Sequence, residues 1–243
     1  MIEKKYKIQK SREWWSVWAL LSLSSFYKVL AVLLLMVLGE CISFWRILRG
    51  DSRPDSLEEL VSGGGAFVFF MAAFGVILLI LVWTVGQAEE KSQNTLMRLK
   101  LSGQEIFYIR TVYCTLCLTL LFSVQIIVIL FTAEIYEKVV GTPGLLQQFL
   151  FLAFYRNEFL HGLLPMAETG KWARNLLLIL AFAVETAGSR KTGAVTLISL
   201  FVLAAAWFIS PVGMGYRDGI VDFVCIVVIG ADILQMLLSR EQE

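Results

Sequence analysis

Few side chains in this 243-residue chain could carry out chemistry, and they do not combine into a catalytic set. His161 is the single histidine, which excludes any metal site built on two histidines. Cys114 and Cys117 form a CxxC pair inside an apolar segment with no second pair nearby, so buried thiols are the simpler interpretation. We therefore expect no metal and no cofactor in this chain, and an enzyme is the least favoured class of function.

The chain also offers no site of its own for a nucleotide or a nucleic acid. Lys191-Thr192 is similar to the end of a P-loop, but no Gly-x-x-x-x-Gly cradle of backbone amides precedes it. ATP and Mg²⁺, if they are used, must be bound by another subunit. The net charge of +1 leaves no basic face that could bind nucleic acid.

Acidic residues inside apolar segments are the remaining candidates. An ionisable group is costly in lipid and usually faces a partner or a cavity. Glu40 lies deep in the first apolar run, and we predict that it lines a substrate path or joins two helices. A structural polar pair, or a carboxyl that is simply protonated in place, is the alternative.

These residues are set into long apolar runs. The composition, 58% hydrophobic and 17% charged, is typical of a membrane protein. A hydrocarbon core about 30 Å thick requires about 20 apolar residues per helix. We therefore predict an all-α polytopic membrane protein, a single transmembrane domain over residues 1–243 with six spans, at residues 27–48, 66–86, 106–133, 172–188, 194–209 and 219–238.

Lys and Arg residues orient the predicted spans, because positive side chains are retained on the cytoplasmic side. They favour both termini in the cytoplasm. Ahead of the first span, Trp14, Trp15 and Trp18 alternate with polar residues. This pattern predicts an amphipathic helix over residues 1–26 that lies on the inner surface and turns into the membrane near Tyr27. A plain extension of the first span is the alternative.

A polar insert at residues 87–104 follows the second span. Glu89 and Glu90 stand where a helix N-terminus favours negative charge, and Lys100 where the C-terminus favours positive charge. Leu96 and Leu99 offer a small apolar face. The pattern predicts a short helix lying parallel to the membrane on its cytoplasmic side.

The insert has a specific resemblance. The run from Glu90 to Leu96, with sequence EKSQNTL, is similar to the Glu-Arg-Glu-x-Gly-Thr-Leu element of ABC-2 type transporter permeases. Leu99, Leu101-Ser102 and Glu105 continue it where that family has Leu, a turn and a Glu opening the third span. The chain departs from the element at Ser92, Asn94 and Lys100, which replace an acid, Gly and Pro. Asn tolerates the left-handed conformation that Gly would supply.

The resemblance implies a bacterial exporter in which the insert is a coupling helix that docks on a separate ATP-binding subunit. It implies a second permease copy or a sister permease, and an amphiphilic or hydrophobic cargo such as a drug, a lipid or an antimicrobial peptide. A non-transporting scaffold or sensor subunit is the alternative. The residues that the resemblance assigns to coupling are Glu89, Glu90, Asn94, Thr95, Leu96, Leu99 and Glu105.

The outer segment at residues 134–171 mixes apolar and charged stretches. Residues 145–154 are apolar enough to enter lipid, but charged residues follow before Pro165. We predict a re-entrant helix that dips into the outer leaflet. Its spacing would put Gln148, Tyr155 and Glu158 on one face, where Tyr155 and Glu158 could line a lateral exit for the cargo.

Overall fold

The computed structural model describes residues 2–50, 54–96, 102–140, 146–165, 168–188, 193–208 and 215–240. Over these residues the chain is all-helical and forms no strand. Nine helices follow one another along the described chain: α1 Ile2–Leu48, α2 Leu57–Gly63, α3 Ala66–Leu96, α4 Gly103–Val140, α5 Leu146–Arg156, α6 Glu158–Leu163, α7 Thr169–Gly188, α8 Gly193–Phe208 and α9 Tyr216–Arg240.

Four of these helices are long and apolar enough to cross a membrane. The candidate stretches are Trp14–Leu48 in α1, Ala66–Val85 in α3, Gly103–Val140 in α4 and Asp218–Leu238 in α9. The apolar part of α8, Val195–Phe208, is shorter than a span requires. The chain is therefore an all-helical protein compatible with several membrane crossings.

The two other predicted spans, at residues 172–188 and 194–209, fall on α7 and α8 and do not meet the same criterion. In α7 the reason is charge, because Lys171, Arg174 and Glu185 lie within its 20 residues. All three side chains are buried in the protein. Helix α7 packs against α3, α4, α8 and α9, which cover the side that carries these charges and leave Trp172, Leu176 and Leu180 exposed.

The first helix runs without a break. The surface helix predicted over residues 1–26 is not a separate element, since α1 is one helix of 47 residues that continues through Tyr27. The sequence explains this continuity: α1 contains no proline, and its first glycine is Gly39. At Gly39 the ring of Phe69 comes so close that an added Cβ would lie 2.7 Å from its Cε1 atom. Gly39 thus lets α1 and α3 pack closely.

A cluster of phenylalanine rings fills the centre of the bundle. Phe70 and Phe74 of α3 meet Phe122 of α4, Phe182 of α7 and Phe208 of α8, with ring centroids 4.8–6.4 Å apart. All four of these pairs are edge-to-face, the geometry that aromatic quadrupoles prefer. The cluster holds α3, α4, α7 and α8 in one core.

The outer segment is built differently from the prediction. Helix α4 extends as far as Val140, and two short helices, α5 and α6, follow in place of one re-entrant helix. They are separated at Asn157, whose Oδ1 atom accepts a hydrogen bond from the Leu160 amide at 3.1 Å and caps α6. Gln148, Tyr155 and Glu158 were predicted to share one face of a single helix. The break contradicts this prediction, because Tyr155 belongs to α5 and Glu158 opens α6.

Candidate functional site

The connection between α3 and α4 contains the predicted coupling residues. Helix α3 continues eleven residues past its apolar stretch, so Glu89, Glu90, Asn94, Thr95 and Leu96 lie on a polar extension of α3 rather than on a separate helix. The structure describes the backbone of this extension but not its side chains. Residue Leu99 falls in 97–101, outside the described residues.

On the other side of this connection, α4 begins at a capping box. The Oε2 atom of Glu105 accepts a hydrogen bond from the Ser102 amide at 3.1 Å, and the Glu105 amide donates to Ser102 Oγ at 3.4 Å. The two residues thus satisfy two amides that the first turn of a helix leaves unpaired. Glu105, which was predicted to open the third span, therefore caps the first turn of α4.

Glu40 pairs with Gln125 between α1 and α4. Both side chains are fully enclosed, and Gln125 Nε2 donates to Glu40 Oε2 at 3.1 Å. The second oxygen of each group, Glu40 Oε1 and Gln125 Oε1, is buried without a hydrogen-bond partner. A proton on Glu40 Oε1 could be donated to Gln125 Oε1, which would give both oxygens a partner in one cyclic acid–amide pair. The pair can therefore hold a proton inside the bundle.

Tyr155 and Glu158, the two other residues predicted on a substrate path, are exposed at the outer segment. The Tyr155 ring stacks on Phe151, with centroids 6.1 Å apart, and meets the His161 ring edge-on at 6.4 Å. None of the contacts seen in the described residues joins either side chain to Glu40. The structure therefore does not bring the three predicted path residues together.

A buried charge network that the sequence did not predict ties α6, α7, α8 and α9 together. Arg174 is 1% exposed, and its guanidinium donates to Asp218 Oδ1 at 2.8 Å and to Asn175 Oδ1 at 2.9 Å. It also lies over the ring of Trp207, 3.7 Å from its centroid. Asn175 in turn donates to the Gly162 carbonyl at 2.8 Å.

The other oxygen of Asp218 fixes the start of α9. Asp218 Oδ2 accepts from the Gly215 amide at 2.8 Å, so one carboxylate both caps α9 and pairs with Arg174. Each oxygen of this carboxylate has a charged or backbone donor. The arrangement is that of a structural clamp between α7 and α9.

A second ion pair lies beside this network. Glu168 Oε2 is 2.8 Å from Lys171 Nζ, and Glu168 Oε1 is 3.6 Å from His161 Nε2. Burial raises the pKa of Glu168, but Lys171 and His161 together outweigh it and lower the pKa below its ordinary value of 4.5. His161 Nδ1 is 3.2 Å from the Phe154 carbonyl oxygen. The single histidine thus joins α5, α6 and the start of α7.

One sequence signal pointed toward this network. Glu168, Lys171, Arg174 and Asn175 recur at helical spacing, which places them along one side of a helix that is otherwise apolar. Their partner Asp218 lies in a distant segment, so the pairing itself could not be read from spacing. The structure buries both Lys171 and Arg174.

Within the described part of the chain, no group of three or more His, Cys, Asp or Glu side chains lies close enough to hold a metal ion. The cysteines Cys114 and Cys117 are buried in α4 as free thiols. Comparison with known proteins finds no matching family model, no matching curated protein and no matching solved structure.

Proposed function

We propose that this chain is the membrane-spanning permease subunit of an ATP-driven exporter of the ABC-2 type. In this proposal it moves an amphiphilic or hydrophobic cargo, and the ATP and Mg²⁺ are bound by separate subunits that dock on the α3–α4 connection. A second copy of the chain, or a sister permease, completes the transporter. The sequence resemblance at residues 90–105 motivates the proposal.

The polar extension of α3 is the observation that supports it most directly. The eleven residues 86–96 continue as helix beyond the apolar stretch and reach about 16 Å past it at 1.5 Å per residue. The chain then returns into α4 through the Ser102–Glu105 capping box. Helix α3 therefore ends in a charged helical projection, which suits a part that receives mechanical force from another subunit.

The proposal takes α7 and α8 as two further crossings. Helix α7 packs against four other helices, and its ionisable side chains are buried against protein, which is how charged groups are tolerated at membrane depth. Helix α8, at 16 residues, is about 24 Å long and would need a locally thinner bilayer. Six crossings would leave both termini on the cytoplasmic side of a bacterial plasma membrane.

This orientation can be tested by thiol labelling. Ser62 is exposed on α2, at the end of the bundle that the proposal places outside. In a background where exposed Cys41 is replaced by Ala, Ser62→Cys should react with a membrane-impermeant maleimide on intact cells. Ser189→Cys should react only after lysis. The opposite pattern would put the α3 projection outside the cell and contradict the proposed function.

The docking itself is tested by charge insertion at the projection. Leu96→Asp with Leu99→Asp would put two unpaired charges into the predicted contact, each costing several kcal/mol if buried. Co-purification with the ATP-binding subunit encoded nearest to this chain should fall by 100-fold or more, since 1.4 kcal/mol is about tenfold in affinity.

Gln147→Asp with Gln148→Asp is the matched control, because both side chains are exposed on α5 at the opposite end of the bundle. It adds the same charge and should leave co-purification unchanged. Membrane insertion of both variants is measured in parallel. If the Leu96 and Leu99 variant inserts and still assembles with full ATP-driven transport, the projection is not a docking element.

A further inference from the structure

A groove of about 370 Å³ opens between the C-terminal half of α1 and the facing part of α4. Its lining includes Leu38, Ile42, Trp45 and Arg46 of α1 with Phe131 and Ile135 of α4. Thr132, a polar residue in the wall, donates its hydroxyl to the Val128 carbonyl at 2.8 Å, so it presents no free hydrogen to an occupant. The groove is therefore apolar apart from Arg46.

The groove matches one leaflet of a bilayer in depth. Its lining on α1 runs from Leu38 to Leu48, which is about 15 Å along a helix. That is half of a hydrocarbon core about 30 Å thick. Because Trp45 and Arg46 lie near the end of α1, the groove runs from mid-membrane to the headgroup layer, where tryptophan and arginine are favoured.

A positive charge stands at the headgroup end. Arg46 is exposed, and among the residues that the structure describes it forms no ion pair. Arg49 lies over the Trp45 ring at 4.3 Å and adds a second guanidinium. The nearby acid on α4, Glu134, is paired with Lys138 at 2.8 Å, so it does not cancel this charge directly.

We propose that the groove binds one acyl chain of an anionic phospholipid, and that Arg46 pairs with the headgroup phosphate. A single row of methylenes fits a slot of this volume, whereas a helix with its side chains is about 10–12 Å across and would stay outside. Arg46 supplies a charge-assisted contact that a neutral occupant would leave unused. The inference rests on the membrane crossing of α1 and α4 and is independent of ATP coupling.

Native mass spectrometry of the purified chain, with phosphatidylglycerol or phosphatidylcholine added from mixed micelles, tests the proposal. Phosphatidylglycerol should bind more tightly. Arg46→Gln should weaken it about fivefold, the usual effect of one arginine near an anionic headgroup, and should leave phosphatidylcholine less affected. Leu38→Trp should fill the groove and displace the bound lipid.

Two control variants match these changes. Arg156→Gln removes an exposed cation on α5 that does not line the groove, and Leu79→Trp enlarges an exposed side chain on α3, outside the groove. Both should bind phosphatidylglycerol like the wild type. Equal binding of the two lipids by wild type and Arg46→Gln would overturn the proposal. A change of oligomeric state in Leu38→Trp with unchanged lipid binding would also overturn it, because a second copy of the chain would then fill the groove.

Discussion

Arg174 and Glu40 are both enclosed by helices, yet their surroundings differ. Arg174 has Asp218, Asn175 and the face of Trp207, and its partners are bonded in turn to α6 and α9. Glu40 has one hydrogen bond, and its pair with Gln125 keeps two buried oxygens without partners. A well-satisfied group is held in one arrangement, whereas an under-satisfied pair can exchange protons or partners. The Arg174 site is therefore structural, and the Glu40–Gln125 pair is a candidate for function.

The largest effect is expected at the clamp. Arg174→Met removes the buried cation and leaves Asp218 as an uncompensated buried charge, a change that typically costs about 3–5 kcal/mol. We expect a strong loss of thermal stability in detergent. Adding Asp218→Asn to Arg174→Met should restore part of it, because the unpaired charge is gone.

Lys138→Met is the control for this pair. Its ion pair with Glu134 has the same 2.8 Å length but is exposed, so its loss should leave stability unchanged within error. Equal sensitivity of the two pairs, or a double variant worse than the sum of its parts, would contradict the structural role given to Arg174.

A smaller effect on stability, but a larger one on function, is expected at Glu40. Glu40→Gln keeps the shape and can still hydrogen-bond Gln125, so the loss of stability should stay near 1 kcal/mol. It removes the proton site. If transport uses that site, cargo-stimulated ATP hydrolysis of the assembled transporter should fall about tenfold, equivalent to about 1.4 kcal/mol in the barrier.

Glu134→Gln removes an exposed acid from α4 and should not affect this activity. A Glu40→Gln transporter with unchanged activity across the pH range would show that Glu40, like Arg174, has only a structural role. Neither of the two buried sites would then be a candidate for function.

The smallest loss of stability is expected at the capping box at the start of α4. It provides a reference for the losses expected at Arg174 and Glu40. Glu105→Ala leaves the Ser102 amide without its side-chain partner, and changes at helix caps cost about 1 kcal/mol. Because Ser102 is exposed, water can replace the lost bond, so the cost should lie at or below that value. A decrease as large as that of Arg174→Met, measured in the same thermal assay, would mean that the α3–α4 connection is a stability centre.

The sequence predicts long apolar helices well and their ends poorly. The apolar runs of α1, α3, α4 and α9 were visible because lipid demands continuous apolarity. Polar residues give no such signal, and a helix can continue through them where no Pro intervenes, as α1 does through Tyr27 and α3 does through Gly86, Glu89 and Glu90. Helix ends therefore depended on local capping, which the sequence shows only in part.

Among the candidate sites, the sequence found Glu40 because an acid deep in an apolar run is conspicuous. Its partner Gln125 is 85 positions away, and the Arg174–Asp218 pair is separated by 44. Such pairings are set by the packing of helices rather than by local pattern. The shared face predicted for Tyr155 and Glu158 failed for a local reason, since Asn157 caps a new helix between them.

The length of α1 has a mechanical consequence. At 47 residues it is a rod of about 70 Å, more than twice the hydrocarbon thickness, with no proline along it. It is held near its C-terminal end, where Ser43 donates to the Gly64 carbonyl at 2.8 Å, and again where Ser25 meets Tyr113 at 2.7 Å. The stretch from Ile2 to Ser25 lies beyond both points and extends about 35 Å, so a tilt of about 10° around Ser25 would move its far end by roughly 6 Å. Small rearrangements of the packing around Ser25 and Tyr113 would thus be magnified into a larger displacement of the amino-terminal end of α1.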